Sequence, residues 1–256
     1  MSGRSHYLQL MVHKAHADLR AEATRAYLGF VWWFLEPALY MLMFYLIVEA
    51  GLRRGGTDYM SFLLCGLVSW KWFASTVLSG ADALNKNSGI IQQVYVPKYV
   101  FPGAIVLLNT FKFAIILGIL LFLMTVVLGK PVTLSWLALP VVVLVQFVFI
   151  TATVMLIAAV IPFARDLRML LENFILMLFF MSGIFFDIAK VEPGIATMLR
   201  LNPMVDLIDA YRGIILKGDW PIWHDLLGVT AVSAVLGALG MHLLARFDRA
   251  YPKLVG

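Results

Sequence analysis

Six long apolar runs constrain this chain more than any other feature of its sequence. A helix of about 20 apolar residues crosses the hydrocarbon layer of a bilayer, whereas the strands of a membrane β-barrel are about ten residues long and alternate in polarity. The runs therefore predict an all-α integral membrane protein with six transmembrane helices. They cover approximately Phe30–Ala50, Ser61–Gly80, Val100–Leu128, Trp136–Ile161, Leu170–Phe186 and Leu226–Ala245.

The composition supports the same class of protein. Of the 256 residues, 62% are hydrophobic and 14% are charged, whereas a soluble domain is about 45–50% apolar and about 25% charged. A core of this size cannot bury so much apolar surface, so lipid must solvate part of it. A soluble enzyme is therefore excluded. The single cysteine, Cys65, lies inside an apolar run and can form no disulfide within the chain.

Basic residues indicate how the spans are oriented. An even number of spans places both ends of the sequence on one side of the membrane. Eleven of the 20 Lys and Arg residues fall on that side and seven on the other, while Lys71 and Lys112 lie within spans. Because cytoplasmic loops carry the excess of Lys and Arg, we expect both ends to lie in the cytoplasm.

The first 28 residues are predicted to form a separate cytosolic element before a permease-like domain over residues 29–256. Their apolar side chains recur at helical spacing, which predicts an amphipathic helix on the inner membrane surface. An ordinary soluble cap is the alternative. The stripe comprises Leu8, Met11, Val12, Ala15, Leu19, Ala23 and Ala26.

The cytosolic loop over residues 81–99 carries a second short helix in this prediction. It covers Ser88–Val94 and ends before Pro97, because proline disfavours helix at the preceding residue. Ile90, Ile91 and Val94 would share one face, and an exposed apolar ridge on such a loop indicates a docking surface. A loop helix that leans on its own bundle fits the spacing nearly as well.

The outer segment over residues 187–224 has helical spacing in pieces too short to span. Two half-buried helices, Ile195–Leu201 and Met204–Leu216, are predicted to dip back toward the membrane around a turn at Asn202 and Pro203. Irregular backbone at that depth is tolerated only against protein or a water-filled cavity. Pairing of Asp209 with Arg212 at i,i+3 would explain the charges of the second helix.

Catalytic motifs are missing from the sequence. It contains no G-x-x-x-x-G-K-[ST], H-E-x-x-H, G-x-S-x-G or C-x-x-C. We therefore expect no catalytic residue and no metal site, and any energy input must come from another subunit or an ion gradient. Glu36, Lys71 and Lys112 lie within spans and are functional candidates for that reason, although a long lysine side chain can also reach the interface.

Four blocks of the sequence resemble the permeases of type-2 ABC exporters, in the branch that exports polysaccharide. The blocks occur in the family's order and together extend over most of the chain. They read LGFVWWFLEPALYML at the first span, LLCGLVSWKWF in the second, NSGIIQQVYVPKYVFPGA in the inner loop and NPMVDLIDAYRGIILKG in the outer segment.

This resemblance implies half of a transporter in a bacterial inner membrane. Such permeases form homodimers and bind two copies of a separate ATPase, which carries the ATP and Mg²⁺, while the permease itself holds no cofactor. The expected substrate is an undecaprenyl-linked O-antigen, with a capsular polysaccharide, a drug or a lipid as alternatives. A membrane-embedded transferase acting on lipid-linked sugars is the rival from another class.

The resemblance also implies roles for single residues. The N-terminal helix corresponds to the family's interface helix. The residues expected to couple to the ATPase are Asn87, Ile90, Ile91, Val94, Pro97 and Lys98. Those expected in a periplasmic gate are Asn202, Pro203, Asp209 and Arg212.

Aromatic residues are the candidates for contact with sugar. In the first span Trp33, Pro37, Tyr40 and Phe44 are spaced four, three and four residues apart and so share one helical face. Aromatic faces can stack on the C–H faces of sugars. Packing between helices, or an aromatic belt at the membrane interface, is the alternative. The expected substrate path comprises Trp33, Tyr40, Phe44, Trp70, Lys71, Trp72 and Phe73.

Overall fold

The computed structural model describes residues 3–25, 57–164 and 166–255, with three single positions at 35, 39 and 43. Within these ranges the regular structure is helical and no strand occurs. Apart from these three positions, the first predicted span, Phe30–Ala50, lies outside the described residues, and so do Trp33, Tyr40 and Phe44 of the predicted substrate path.

Ten helices follow one another along the described part of the chain. They are α1 (Gly3–Arg25), α2 (Thr57–Ala81), α3 (Ser88–Gln93), α4 (Val100–Phe122), α5 (Leu139–Val160), α6 (Asp166–Met181), α7 (Pro193–Leu199), α8 (Pro203–Arg212), α9 (Trp223–Arg246) and α10 (Tyr251–Leu254). Single π-helical turns continue α4 and α8, over Leu123–Val127 and Gly213–Lys217. Short 3₁₀ turns flank α5 at Leu134–Ala138 and Ile161–Phe163.

Four of the described helical segments are long and apolar enough to cross a membrane. They match the second, third, fourth and sixth predicted spans and cover Asp58–Ala81, Val100–Val127, Leu134–Phe163 and Trp223–Arg246.

The helix at the fifth predicted span, Leu170–Phe186, begins and ends earlier than expected and covers Asp166–Met181. This helix, α6, has 16 residues, which at 1.5 Å per residue reach about 24 Å, less than the hydrocarbon thickness of about 30 Å. The chain turns at Gly183, which has a φ of 68°, a left-handed conformation that glycine adopts without steric cost. The apolar composition beyond Met181 therefore does not continue the helix.

Helix α2 lies at the centre of the bundle. Of its most apolar stretch, 78% is buried, compared with 17% for α4, and α2 packs against α4, α5, α6 and α8. Helix α5 in turn packs closely along α9. Most of the α4 surface is left for contact with lipid or another chain.

Loops and short helices gather at two opposite ends of the bundle. At one, called the α3 end, Arg168 pairs with Asp82 at 2.7 Å, and α1 packs on the start of α4. At the other, called the α8 end, Lys130 pairs with Asp58 at 2.7 Å and the Tyr59 hydroxyl donates to the Phe185 carbonyl. Helices α1 and α10 both lie at the α3 end.

Small residues set the separation of α5 and α9. A Cβ at Gly240 would lie 2.6 Å from the Leu156 backbone nitrogen and 2.8 Å from the Met155 carbonyl carbon. At Gly237 it would lie 3.4 Å from the Ala152 Cβ. Since lipid tails are as apolar as the helix surfaces, close van der Waals packing through small residues is a main force joining membrane helices.

We predict that Gly240→Ala destabilises the bundle, because the added methyl group meets backbone that cannot rotate away. Overpacking of this kind costs about 1–3 kcal/mol and should lower the melting temperature in detergent. The control is Gly228→Ala on the same helix, where a Cβ has no neighbour within 4 Å. An equal melting temperature for the two variants would contradict this packing.

Candidate functional site

An exposed apolar surface lies at the α3 end. Ile90, Val94 and Tyr95 are 48%, 60% and 71% exposed, and all three lie outside the spans. Helix α3 ends at Gln93, and the Val94 backbone N–H still donates to the Ile90 carbonyl at 3.0 Å. Ile90 and Val94, one helical turn apart, therefore share a face. We call these three residues the α3 surface.

Ile91 does not belong to this surface, which corrects the predicted three-residue ridge. Its side chain is 4% exposed and packs in a small apolar core with Leu84, Phe101 and Tyr251. Successive helical residues are about 100° apart, so Ile90 and Ile91 cannot face the same side. Helix α3 therefore leans on its own bundle, as the alternative interpretation predicted, and leaves one edge exposed.

Lys98 was predicted to contact a partner, but it is 2% exposed. Its ammonium donates to the Val96 carbonyl at 3.1 Å and lies 3.6 Å from a carboxylate oxygen of Asp248. The Asn87 amide likewise donates inward, to the Ala83 carbonyl at 2.7 Å. Lys98 and Asn87 thus hold the loop in shape and leave the α3 surface to make contacts.

At the α8 end, Arg212 is buried in a cage of backbone carbonyls. Its guanidinium donates to Phe62 at 3.1 Å and to Gly183 and Ile184 at 2.8 Å each. The same group lies 3.4 Å above the centre of the Phe62 ring. Burial lowers the pKa of Arg212 to about 10, partly offset by Asp209, so the side chain stays charged at neutral pH. One side chain therefore ties α8 to α2 and to the turn after α6.

Gly66 on α2 makes room for this guanidinium. A Cβ there would lie 2.8 Å from Nη2 of Arg212. Two of the blocks that carry the family resemblance, GLVSWKWF and NPMVDLIDAYRG, therefore meet in space. Sequence reasoning did not pair them, and the only available signal was a glycine in the middle of an apolar span.

Asp209 pairs with Arg200, not with Arg212. Arg200 lies 2.8 Å from Asp206, 3.3 Å from Asp209 and 4.0 Å from Asp225. The predicted i,i+3 ion pair is wrong because the carbonyl cage turns Arg212 into the bundle. Arg200, which the sequence analysis did not single out, links α8 to the start of α9.

Asn202 and Pro203 begin α8, as predicted from the turn signal. The Asn202 side-chain oxygen accepts from the Met204 N–H at 3.1 Å, and its amide donates to the Ser182 hydroxyl at 2.7 Å. Proline suits the first helical turn because its missing N–H is not needed there. The turn is thereby fixed to the end of α6.

A polar cavity of about 250 Å³ opens beside these residues. Burial raises the pKa of Asp206 to about 6, and repulsion from Asp225 adds to the effect despite the Arg200 ion pair. Within the described ranges, no group of three or more His, Cys, Asp or Glu side chains is arranged to hold a metal ion. The charged residues lining the cavity are Asp187, Arg200, Asp206, Asp209, Arg212, Lys217, Asp219 and Asp225.

The aromatic residues of α2 pack inside the chain, which corrects part of the predicted substrate path. Trp70, Trp72 and Phe73 are 3–4% exposed. Trp72 stacks on Phe113 with ring centres 4.0 Å apart, and Phe73 stacks on Phe149 at 5.5 Å. In this conformation Trp72 and Phe73 are core residues, because α2 is surrounded by other helices.

Trp70 and Lys71 do reach a groove between α2 and α6. It encloses about 340 Å³ and is largely apolar, with Glu172 at its rim. Trp70 is almost wholly buried and Lys71 is half-buried, so Lys71 is the one described path residue with an accessible side chain.

Comparison with known proteins identifies the family to which the chain belongs. The chain matches the family model described as "ABC-2 type transporter" over residues 19–216. It is 31% identical over 232 residues to the O-antigen export system permease protein RfbA of Myxococcus xanthus, covering 90% of this chain and 89% of that protein. The protein of the same name from Klebsiella pneumoniae is 24% identical over 210 residues, which are 82% of this chain and 81% of the relative.

The chain belongs to the ABC-2 type transporter family. It is a multi-pass membrane subunit of a transporter, and the type-2 ABC resemblance predicted from four sequence blocks is confirmed. Both ends of the bundle described above lie largely within the matched region.

We predict that Arg212→Lys destabilises the α8 end although it keeps the charge. A lysine cannot supply three carbonyls in the fork geometry of arginine, and each lost bond to a charged group costs about 1.5–3 kcal/mol. Arg200→Lys, on a half-exposed ion-paired arginine, is the control and should lower the melting temperature less. Equal losses in the two variants would refute the carbonyl cage.

Asp206→Asn should change how stability depends on pH. Folding raises the pKa of Asp206 from its ordinary 3.8 to about 6, so the folded chain binds that proton more tightly than the unfolded chain does. Stability of the wild type relative to the variant should therefore fall as the pH rises from about 4 to about 6. Melting temperatures in detergent across that range measure the difference in stability between wild type and variant. A difference that does not change with pH would contradict the raised pKa of Asp206.

Proposed function

We propose that this chain is the permease half of an ATP-driven exporter that moves a lipid-linked O-antigen across the bacterial inner membrane. The names of the relatives from Myxococcus xanthus and Klebsiella pneumoniae support O-antigen over a capsular polysaccharide, a drug or another lipid. Membership of the ABC-2 type transporter family supports a partner ATPase subunit, to which we assign ATP and Mg²⁺.

The observation that carries the proposal is the α3 surface. Ile90, Val94 and Tyr95 expose apolar and aromatic area beyond the ends of the spans, where water would meet it unless a partner covers it. The loop behind them is held by buried polar contacts of Lys98 and Asn87. A rigid apolar surface of this kind suits a second protein, and we assign it to the ATPase.

The α3 end then faces the cytoplasm and the α8 end faces the periplasm. The excess of Lys and Arg on the α3 side supports this orientation. In this arrangement α1 is the interface helix, while α7 and α8, with Asn202, Pro203, Asp209 and Arg212, form the periplasmic gate. The run Phe30–Ala50 and α6 complete six spans.

We further propose a homodimer with two ATPase subunits. The buried residues of the described bundle are mostly apolar, so one copy offers little to line a path for a hydrated glycan. Two copies would share that path, with Trp33, Tyr40 and Phe44 of the first span as its aromatic contacts. The groove of Trp70 and Lys71 would border it.

Val94→Asp tests the docking assignment. A charge on the α3 surface should leave the protein inserted in the membrane but reduce O-antigen export at least tenfold, because the ATPase no longer grips the loop. Export per cell and the amount of co-purified ATPase are the measurements. Val132→Asp is the control, since Val132 is 66% exposed at the α8 end.

Normal export by Val94→Asp would overturn the docking surface. Equal loss of export in the Val132→Asp control would attribute the effect to insertion or folding and would also count against it.

A further inference from the structure

Residues 247–255, which follow α9, pack against the loop that carries the α3 surface. We call them the α10 segment. Tyr251 is completely buried, and its hydroxyl donates to the Ala159 carbonyl at 3.0 Å. Its ring and that of Phe247 make edge-on contacts with Phe163 at 5.8 Å and 5.1 Å. The segment therefore joins the end of α9 to the end of α5.

The Ala159 carbonyl needs this partner because α5 ends there. The helix stops at Val160 and continues as a 3₁₀ turn that contains Pro162. Carbonyls in the last turn of a helix lack donors from the helix itself, and proline has no N–H to offer. Tyr251 satisfies one of them, which fixes the α10 segment against α5 by a directional contact.

Asp248, in the α10 segment, contacts the loop that carries the α3 surface. Its carboxylate lies 3.6 Å from the Lys98 ammonium, which is buried. The Lys98 ammonium also lies 5.1 Å from the centre of the Tyr95 ring. Lys98 thus links the two: it is paired with Asp248 of the α10 segment and lies over the Tyr95 ring of the α3 surface.

A buried ammonium is costly unless it is paired, so Lys98 depends on Asp248. The Tyr95 side chain is 71% exposed, and the Lys98 ammonium that Asp248 pairs with lies over its ring. With Asp248 removed, the loop would keep its covalent links to α2 and α4. It would lose the polar contact that relates the α3 surface to α5 and α9.

We propose that Asp248 is a positioning residue for coupling, and that the α10 segment fixes the α3 surface to the ends of α5 and α9. A movement of the ATPase against Val94 and Tyr95 is then transmitted to the two long helices α5 and α9. This role rests on the proposed function, since it assumes that an ATPase binds the α3 surface.

Asp248→Ala in the full complex tests the proposal. The ATPase should still co-purify, while glycan exported per ATP hydrolysed falls at least fivefold. Hydrogen exchange over residues 88–99 should speed up in the same variant, because the loop has lost its contact. Asp248→Glu should restore both values, since it keeps the carboxylate. Lys253→Ala is the control: Lys253 is exposed in the same segment and should change neither value.

Unchanged export per ATP in Asp248→Ala would overturn the positioning role. Export that falls only in proportion to the amount of folded protein, or that Asp248→Glu fails to restore, would overturn it as well. A wild-type chain that binds no ATPase would instead refute the proposed function, so the two failures are distinguishable.

Discussion

A charged group buried among membrane-spanning helices is costly unless partners within the protein satisfy it. Arg212 meets this requirement with three backbone carbonyls, and the arrangement of the α8 end follows from it. The guanidinium links α2, α8 and the turn after α6. It fits there because Gly66 has no side chain. Asp209 is consequently left to pair with Arg200.

The α3 end solves the same problem differently. There the buried cation, Lys98, is paired with a carboxylate, Asp248, on a segment that follows the last long helix. A carbonyl cage ties helices of the bundle directly to one another, whereas this ion pair ties a loop to the bundle. The contrast fits the proposed roles, because the α3 loop must transmit motion from a partner while its own shape is kept.

Local properties of the sequence were sufficient to predict the membrane class and four of the spans, because hydropathy over 20 residues depends on no distant contact. The start of α8 was predictable for a similar reason: Asn202 and Pro203 act on their own neighbours. The end of α6 was not, since the turn at Gly183 interrupts a run that stays apolar.

Contacts between distant residues account for the remaining errors. Ile91 and Val94 look equivalent in sequence, but only Ile91 meets the core formed with Phe101 and Tyr251. Trp72 and Phe73 are aromatic residues of the kind that can stack on sugars, but in this fold rings from α4 and α5 stack on them instead. Tertiary contacts decide which face of a helix is buried, and the local pattern of a single sequence does not reveal those contacts.

The central claim is that the α3 surface binds the ATPase. Site-specific photo-crosslinking in intact membranes tests it most directly, with a photoreactive amino acid placed at Val94 in one variant and at Val132 in another. The account predicts a crosslink from position 94 to the ATPase subunit and none from position 132, which lies at the opposite end of the bundle. A crosslink to the ATPase from position 132, or none from position 94 in an exporting complex, would contradict it.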